Sequence, residues 1–404
     1  MAKRNETAQQ IAELLRTAQS SLGLNLAFLS RLDGVTQHLE VVECTDPSLA
    51  ADGLTQPQET SFCQAIMEER LPSVIPDVED FPVAMTLPAV QAAGIRSYVS
   101  VPVVLSDGSV YGTFCAAGFQ AGEDLGERDR TLMEVLAQAA GMLIEPDVRK
   151  RRRNAGIADR LHPVIAAGGP VVLLQPIVEL TTGRRIGAEA LSRFPQQWNQ
   201  PPDLVFADAE LIGQRESLEI LALRQAARHL PDTTGYVAMN VSPATLATAS
   251  CQDLLSRMPL ERIVLELSEH DPIDDYEALR ATLAPLRARG MRLAIDDVGA
   301  GFSSLRHIVV TAPDVVKLDR SLVAGVADDH VLAVLTKALV ELADAIGAHV
   351  VAEGIETATD AATLTGLGVH HGQGWYFDRA TTPDALRDIY QLQPVGGALA
   401  AQRA

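Results

Sequence analysis

From residue 170 onward the chain repeats one pattern. A short apolar run ends in polar residues and is followed by a helical stretch. The strand candidates are Val171–Glu179, Arg185–Arg193, Gly235–Val241, Arg262–Leu267, Arg292–Val298, Val315–Asp319, His349–Glu353 and Gly372–Phe377. Between them lie helices such as Asp208–Arg228, Asp275–Arg289 and Val331–Ile346. This alternation predicts an α/β TIM-like barrel. The first two strands are joined only by Thr181-Thr182-Gly183. So short a link permits a hairpin but no parallel crossover, so one of the two strands must run antiparallel to the rest.

The first 147 residues read differently. Thr7–Leu22 carries Ile11, Leu14, Leu15 and Ala18 at helical spacing. Asn25–Leu32 and His38–Cys44 read as strands around Asp33-Gly34, and Ser61–Glu69 as a short helix. Arg96–Leu105 and Ser109–Ala117 flank Ser106-Asp107-Gly108, a hairpin signature. Asp124–Ile144 is amphipathic and helical. The half is an α+β module with one antiparallel sheet. A basic run, Arg149 to Arg153, follows and reads as a solvated continuation of that helix rather than a nucleic-acid or lipid patch.

Composition narrows the partners. The 404 residues carry a formal charge of −19. That disfavours binding to long nucleic acids or anionic membranes, both polyanions. No apolar stretch approaches the roughly 20 residues that span a bilayer. The N-terminus lacks the apolar core of a signal peptide. Cys44, Cys63, Cys115 and Cys251 are widely spaced, with no Cys-x-x-Cys, as expected in a reducing cytoplasm.

In a barrel of this kind the strand C-termini converge on one mouth. Those ends offer Glu189, Asn240, Glu266 and then Glu269, the pair Asp296-Asp297, Lys317 and Asp319, and Glu353 and then Glu356, while the last strand candidate begins with Gln373. One acidic residue after a strand is ordinarily a helix cap. The recurrence across strands is not explained that way. Carboxylates sharing a mouth repel each other and resist desolvation unless cations compensate them. Oxygen-only donors suit Mg²⁺ or Mn²⁺. Adjacent aspartates can serve two ions, with Asp296 bridging, the arrangement used for phosphodiester displacement. Lys317 adds a cation for the attacking water or the developing charge.

Residues 158–395 resemble the EAL domain of bacterial cyclic di-GMP phosphodiesterases. The resemblance rests on Glu189-Ala190-Leu191 followed by Arg193, and on Gln175-Pro176-Ile177, Asn240-Val241-Ser242, Glu266-Leu267-Ser268-Glu269, Asp296-Asp297-Val298-Gly299-Ala300-Gly301, Lys317-Leu318-Asp319, Ala352-Glu353-Gly354-Ile355-Glu356 and Gln373-Gly374, in the family's order. It implies a barrel with an antiparallel first strand and hydrolysis of cyclic di-GMP to linear pGpG with two Mg²⁺ or Mn²⁺ ions. It implies metal ligands at Glu189, Asn240, Glu266, Asp296, Asp297 and Glu353, and a water contact at Lys317. Gln175, Leu191 and Arg193 would contact substrate and Gln373 would help position the site. Glu269 would brace the loop Val298–Ser304, which in this family couples the metal site to dimerisation. Val298 and Ala300 replace the loop's common Phe and Thr; neither position ligates metal in the family.

The hairpin Gly94–Cys115, preceded by Ile75-Pro76-Asp77, resembles a GAF domain. The expected organisation is a GAF-like sensor at 1–147, a basic helical connector at 148–157, an EAL domain at 158–395 and a tail at 396–404. The sensor would bind an unidentified small ligand and act on the barrel through a homodimer. Cys63 and Cys115 read as buried free thiols rather than attachment points, and His38 as a turn-proximal surface residue. The alternative function is a catalytically silent cyclic di-GMP receptor. A third reading gives the acidic mouth another phosphate ester. No Gly-Gly-Asp-Glu-Phe stretch is present, so synthesis of the nucleotide is not expected.

Overall fold

The computed structural model describes residues 5–46, 48, 50–299 and 304–386. The chain divides into two compact units between Arg153 and Asn154. No helix among the described residues is long and apolar enough to cross a membrane.

The N-terminal unit is built on a six-stranded antiparallel sheet. Its strands are β1 (Leu26–Leu32), β2 (Thr36–Cys44), β3 (Thr55–Pro57), β4 (Val74–Ile75), β5 (Ser97–Val104) and β6 (Val110–Gly118), in the order β3-β2-β1-β6-β5-β4. The two outermost strands are too short to leave an alternating pattern, and the sequence reading misses them. The β5–β6 hairpin turns at Gly108, which adopts φ +80° as its Asp-Gly signature requires. Side chains alternate between two faces. Leu29, Val99, Val101, Val103 and Phe114 pack beneath the helix Glu6–Leu22 and the start of a long helix, meeting Ile11, Leu15, Met133 and Ala140. Phe28, Tyr98, Cys115 and Ala117 face the other way, against Phe62, Cys63 and Ile75.

The long helix is Glu127–Ala166, so the predicted helix and the basic connector are one continuous element. Within the run, Arg149 pairs with Glu145 at 2.6 Å and Arg152 with Asp107 at 2.7 Å, both arginines being exposed, as a solvated segment should be. His38 sits 2.7 Å from Asp33, tying the β1–β2 turn.

The C-terminal unit is a closed eight-stranded barrel. Its strands are β7 (Val171–Glu179), β8 (Arg185–Arg193), β9 (Tyr236–Asn240), β10 (Ile263–Ser268), β11 (Arg292–Val298), β12 (Val315–Leu318), β13 (His349–Ala352) and β14 (His371–Gly372). β7 is antiparallel to both neighbours, β8 and β14, and every other pair is parallel. The three-residue link thus resolves in favour of a reversed first strand.

Two expectations need correction. Asp208–Arg228 is not one helix: Pro202–Leu211 and Arg215–Ala227 are separated at Gly213, which takes φ +67°. The last strand stops at Gly372 instead of continuing to Phe377. At Gly374 the chain presses on Ile355, where a Cβ would lie 2.1 Å from the carbonyl oxygen, and the next residues turn.

His349, His370 and His371 gather where β13 and β14 begin, with the His349 and His370 rings 4.9 Å apart. Burial, then the neighbouring histidines, push His371 down to about 4. A histidine whose folded pKa is depressed leaves stability intact above its unfolded value of about 6.5; that stability is lost as pH falls toward about 4, because the unfolded chain takes up the proton first. Denaturant titrations through this window should show a smaller acid-induced loss of stability for His371→Leu than for the parent. Equal losses would show that His371 does not govern this part of the pH response.

Candidate metal centre

The barrel interior begins with an apolar floor. Ala238, Val264, Ala294, Val315 and Val351 form one buried cluster with Ile177 and Tyr236. Strand side chains alternate, so the residue two positions on returns to the same interior side. Two positions on from Ala238, Val264, Ala294, Val315 and Val351 stand Asn240, Glu266, Asp296, Lys317 and Glu353. Glu189 stands likewise two beyond the buried Gly187 on β8. The period of a β-strand therefore stacks a polar layer on the apolar one.

Lys317 occupies the middle of that layer and is 1% exposed. Its Nζ lies 2.7 Å from Glu353, 2.9 Å from Glu266, 3.0 Å from Asp296 and 3.4 Å from Glu189. Asn240 Nδ2 donates to Glu266 at 3.1 Å and to Glu189 at 3.3 Å. Gln373 Nε2 donates to Glu189 and, at 3.2 Å, to Gln175.

Burial sets the protonation pattern. It pushes Glu266 and Glu353 well above the usual carboxylate range, and neighbouring Glu189 and Asp296 charges push the same way against Lys317. Asp296 is pushed up to about 6 by burial, with Glu189 and Asp297 adding. Burial also acts on Glu189, but Lys317 and the hydrogen bonds from Gln373 and Asn240 outweigh it and hold the carboxyl low. Burial would lower the Lys317 ammonium; the surrounding carboxylates keep it well above its ordinary value.

Asp296 and Asp297 are consecutive, so a regular strand would point them apart. The β11–β12 register shifts between Ile295 and Val298, and Asp297 adopts φ +59°. This left-handed kink turns Asp297 toward the mouth at a cost of about 1–3 kcal/mol. Burial, opposed by Lys317 and reinforced by Asp319, pushes its carboxyl up.

The result is two overlapping groups of oxygen donors. Glu189, Glu266 and Asp296 form one, and Asp296, Asp297 and Glu353 the other, with donor oxygens in each within 4.8 Å of one another. Asp296 belongs to both, as a bridging ligand must. Lys317 supplies a single positive charge against five carboxylates, so the cluster fits hard divalent cations, which take oxygen donors of this kind.

Not every residue named from the sequence joins this cluster. Leu191 and Arg193 line a cavity of about 350 Å³ beside Asn240, Glu266 and Asp297. The Arg193 Nη1 donates to the Ser192 carbonyl at 2.9 Å. Gln175 reaches both Gln373 and, at 3.2 Å, the Asp378 carbonyl. Glu269 is buried outside the two donor groups, its carboxylate oxygens without a hydrogen-bond partner among the described residues. The loop it is expected to brace includes residues 300–303, which lie outside the described residues. Asp319 caps the helix Arg320–Val323, accepting from Ser321 at 2.8 Å, and Glu356 pairs with Arg320 at 2.9 Å.

The cavity adds residues that sequence reasoning missed. Glu219 is buried and accepts from the Ser242 amide at 3.1 Å and hydroxyl at 2.8 Å, holding the segment just after Asn240. Arg215 pairs with Glu219 at 2.7 Å and with Asp271 at 3.2 Å. Phe206 supplies an apolar wall. In sequence, Arg215 and Glu219 look like an ordinary i,i+4 surface pair; only the folded chain shows that they line the mouth.

Residues 158–380 match the EAL domain family, and residues 5–145 match a GAF domain. The chain belongs to the EAL domain family, with a GAF domain N-terminal to it. An uncharacterized protein of Mycobacterium tuberculosis is 32% identical over 244 residues, covering 54% of this chain and 77% of that one. The cyclic di-GMP phosphodiesterase PdeL of Escherichia coli is 31% identical over 218 residues, covering 50% of this chain and 60% of PdeL. Among solved structures, the PaMucR phosphodiesterase in complex with c-di-GMP matches with a TM-score of 0.51 and 27% identity, over 57% of this chain and 99% of that one. An EAL domain protein from Listeria monocytogenes has the same fold, with a TM-score of 0.52 and 22% identity over 58% of this EAL-domain chain and 98% of its own.

Adding Mg²⁺ or Mn²⁺ should raise the thermal midpoint of the EAL-domain protein. Binding at a hundred times the dissociation constant is worth about 2.7 kcal/mol. Asp296→Asn, which removes charge from both donor groups, should cut the gain by more than half. An undiminished gain in that variant would place the ions elsewhere.

Proposed function

We propose that this EAL protein hydrolyses cyclic di-GMP to linear pGpG at the barrel mouth. One observation carries the reading: five carboxylates from four strands converge around one buried ammonium, beside a cavity lined by Arg193. Glu189, Asn240, Glu266, Asp296, Asp297 and Glu353 would hold two divalent ions. When bound, such ions acidify water and neutralise charge on a phosphodiester.

The chain's own residues supply the remaining work. Arg193 presents a guanidinium to a phosphate oxygen, a charge-assisted contact suited to its fork of donors. Leu191 and Phe206 offer apolar surface to the nucleotide. Lys317 holds a permanent positive charge where the attacking water and the pentavalent phosphorus would gather negative charge. Gln373, just past β14, orients Gln175 on the adjacent β7 and Glu189 on the next strand, β8. Water adds to phosphorus as one ester oxygen leaves, which opens the ring to the linear dinucleotide. Glu269 acts outside the chemistry, by supporting the loop after Val298.

The same proposal gives residues 1–147 a sensing role and residues 158–395 the catalytic one, joined through 148–157 in a homodimer. Loss of any effector response on removing residues 1–147 supports that link; an unchanged response refutes it.

Purified protein with Mg²⁺ or Mn²⁺ should convert cyclic di-GMP to pGpG. Glu189→Ala should lower kcat by about 10² or more, the scale seen when a group stabilising the transition state is lost. Arg193→Ala should raise KM about tenfold or more, since a hydrogen bond to a charged group is worth about 1.5–3 kcal/mol. Retained circular dichroism would show that both variants fold. Tight binding of cyclic di-GMP with no pGpG from the parent would replace this proposal with a silent receptor.

A further inference from the structure

We propose that Cys63 and Cys115 form a reversible disulfide inside the N-terminal unit, a two-thiol modification site oxidised by hydrogen peroxide, with Cys63 reacting first. The two residues are 52 positions apart in sequence and come from different elements, the helix Phe62–Met67 and strand β6. Their Sγ atoms lie 3.4 Å apart, in van der Waals contact. A disulfide bond is about 2.0 Å long, so small side-chain rotations close the gap.

The surroundings separate this pair from ordinary core cysteines. The face of the sheet that holds them is otherwise apolar, with Phe28, Phe62 and Ile75 nearby. Yet Ser30, Gln37, Ser100 and Thr113 are buried alongside the two thiols. Gln37 Nε2 donates to Cys63 Sγ at 2.9 Å, and the Tyr98 hydroxyl lies 3.3 Å from the same sulfur. Gln37 is itself held in place, donating to Ser30 Oγ at 2.9 Å and accepting from Gln56 at 2.7 Å. On the other side, Cys115 Sγ lies 3.2 Å from both Ser100 Oγ and Thr113 Oγ1. Cys251 is buried and Cys44 half-buried, and neither has a second thiol in such contact.

Donors converging on one sulfur favour its thiolate, the reactive form of cysteine. Burial opposes ionisation of Cys63, but the hydrogen bonds from Cys115, Thr113, Tyr98 and Gln37 outweigh it and bring the thiol down to about 6. Cys115 moves the other way, pushed up by burial and by the charge on Cys63. The two sulfurs are thus unlike: one carries the charge and the other keeps the proton.

The chemistry balances with one peroxide. The Cys63 thiolate attacks a peroxide oxygen; an S–O bond forms, the O–O bond breaks, and the departing hydroxide takes a proton to leave as water. Cys63 is then a sulfenic acid. Cys115 sulfur attacks that sulfur; the S–S bond forms, the S–O bond breaks, and the departing hydroxide takes the Cys115 proton. Two thiols lose two electrons and two protons, and hydrogen peroxide becomes two waters. Both residues are at most 1% exposed, so bulky disulfides are excluded and a small oxidant enters through brief local openings of the unit.

The test uses the full chain, reduced, freed of reductant and exposed to hydrogen peroxide. Remaining thiols are alkylated in denaturant and the peptides are mapped by mass. The expected product is a Cys63–Cys115 cross-link lighter by two hydrogens, reversed by dithiothreitol, with Cys44 and Cys251 alkylated. Fragmentation distinguishes Cys63 from Cys44, which share one tryptic peptide. Oxidised glutathione should leave the native pair reduced. In Cys115→Ser, dimedone added together with the denaturant should trap the sulfenic acid on Cys63. The proposal is overturned if Cys63 and Cys115 stay alkylatable while Cys44 is oxidised. It is overturned equally if Cys63 in the parent passes to sulfinic acid without a cross-link. The decisive readout comes from the parent chain, so a variant that folds poorly does not blunt it.

Discussion

The buried Lys317 ammonium organises the barrel mouth. At an effective dielectric near 20, each contact of this kind is worth on the order of 4 kcal/mol of attraction, before the cost of taking both charges out of water. Lys317 touches four carboxylates contributed by β8, β10, β11 and the end of β13. It therefore draws together strand ends that would otherwise repel. One cation cannot neutralise four anions, and Asp297 adds a fifth. The remaining negative charge is met by protons, as the upward displacement of Glu266, Glu353 and Asp296 shows, or by metal ions. Protons and metal ions would thus compete for one site, and ligation would release protons.

The acidity of the chain takes on a different meaning in this light. A charge of −19 argues against long polyanions. Part of it, however, is concentrated in a pocket whose sign divalent ions would reverse. Arg193 and Lys317 stand at the same mouth. The proposed substrate, a small dianionic nucleotide, would meet that local field rather than the net charge of the chain.

The two units treat buried polarity in opposite ways. In the barrel, titratable groups are gathered at a mouth and border a cavity. In the GAF domain a smaller network of hydroxyls, an amide and two thiols is closed off inside the sheet's second face. Each buried polar atom there finds a partner, which limits its cost. What such a network offers is a defined environment for one sulfur, not a stronger core.

Much of the fold and of the site was legible in the chain. Three barrel strands, Val171–Glu179, Arg185–Arg193 and Arg292–Val298, have the predicted bounds, because apolar runs closed by charged residues leave little freedom in where a strand ends. The length of one turn required one of the first two strands to be reversed, and the resemblance to the EAL domain implied that it is the first. The acidic ring was readable because strand ends converge in any such barrel. Other features arise only when distant segments meet. The sequence shows Asp296 and Asp297 as neighbours, and a regular strand would separate them; a register shift against β12 and a left-handed φ bring both to one mouth. Arg215 and Glu219 look like solvent-facing partners until Ser242 and Asp271 are placed beside them. Cys63 and Cys115 are 52 residues apart, and no spacing rule pairs them. Local patterns of hydrophobicity determine which residues enter strands and which face of each is buried. The distances between charges and between sulfurs depend on packing between elements far apart in sequence, and only the tertiary structure decides those.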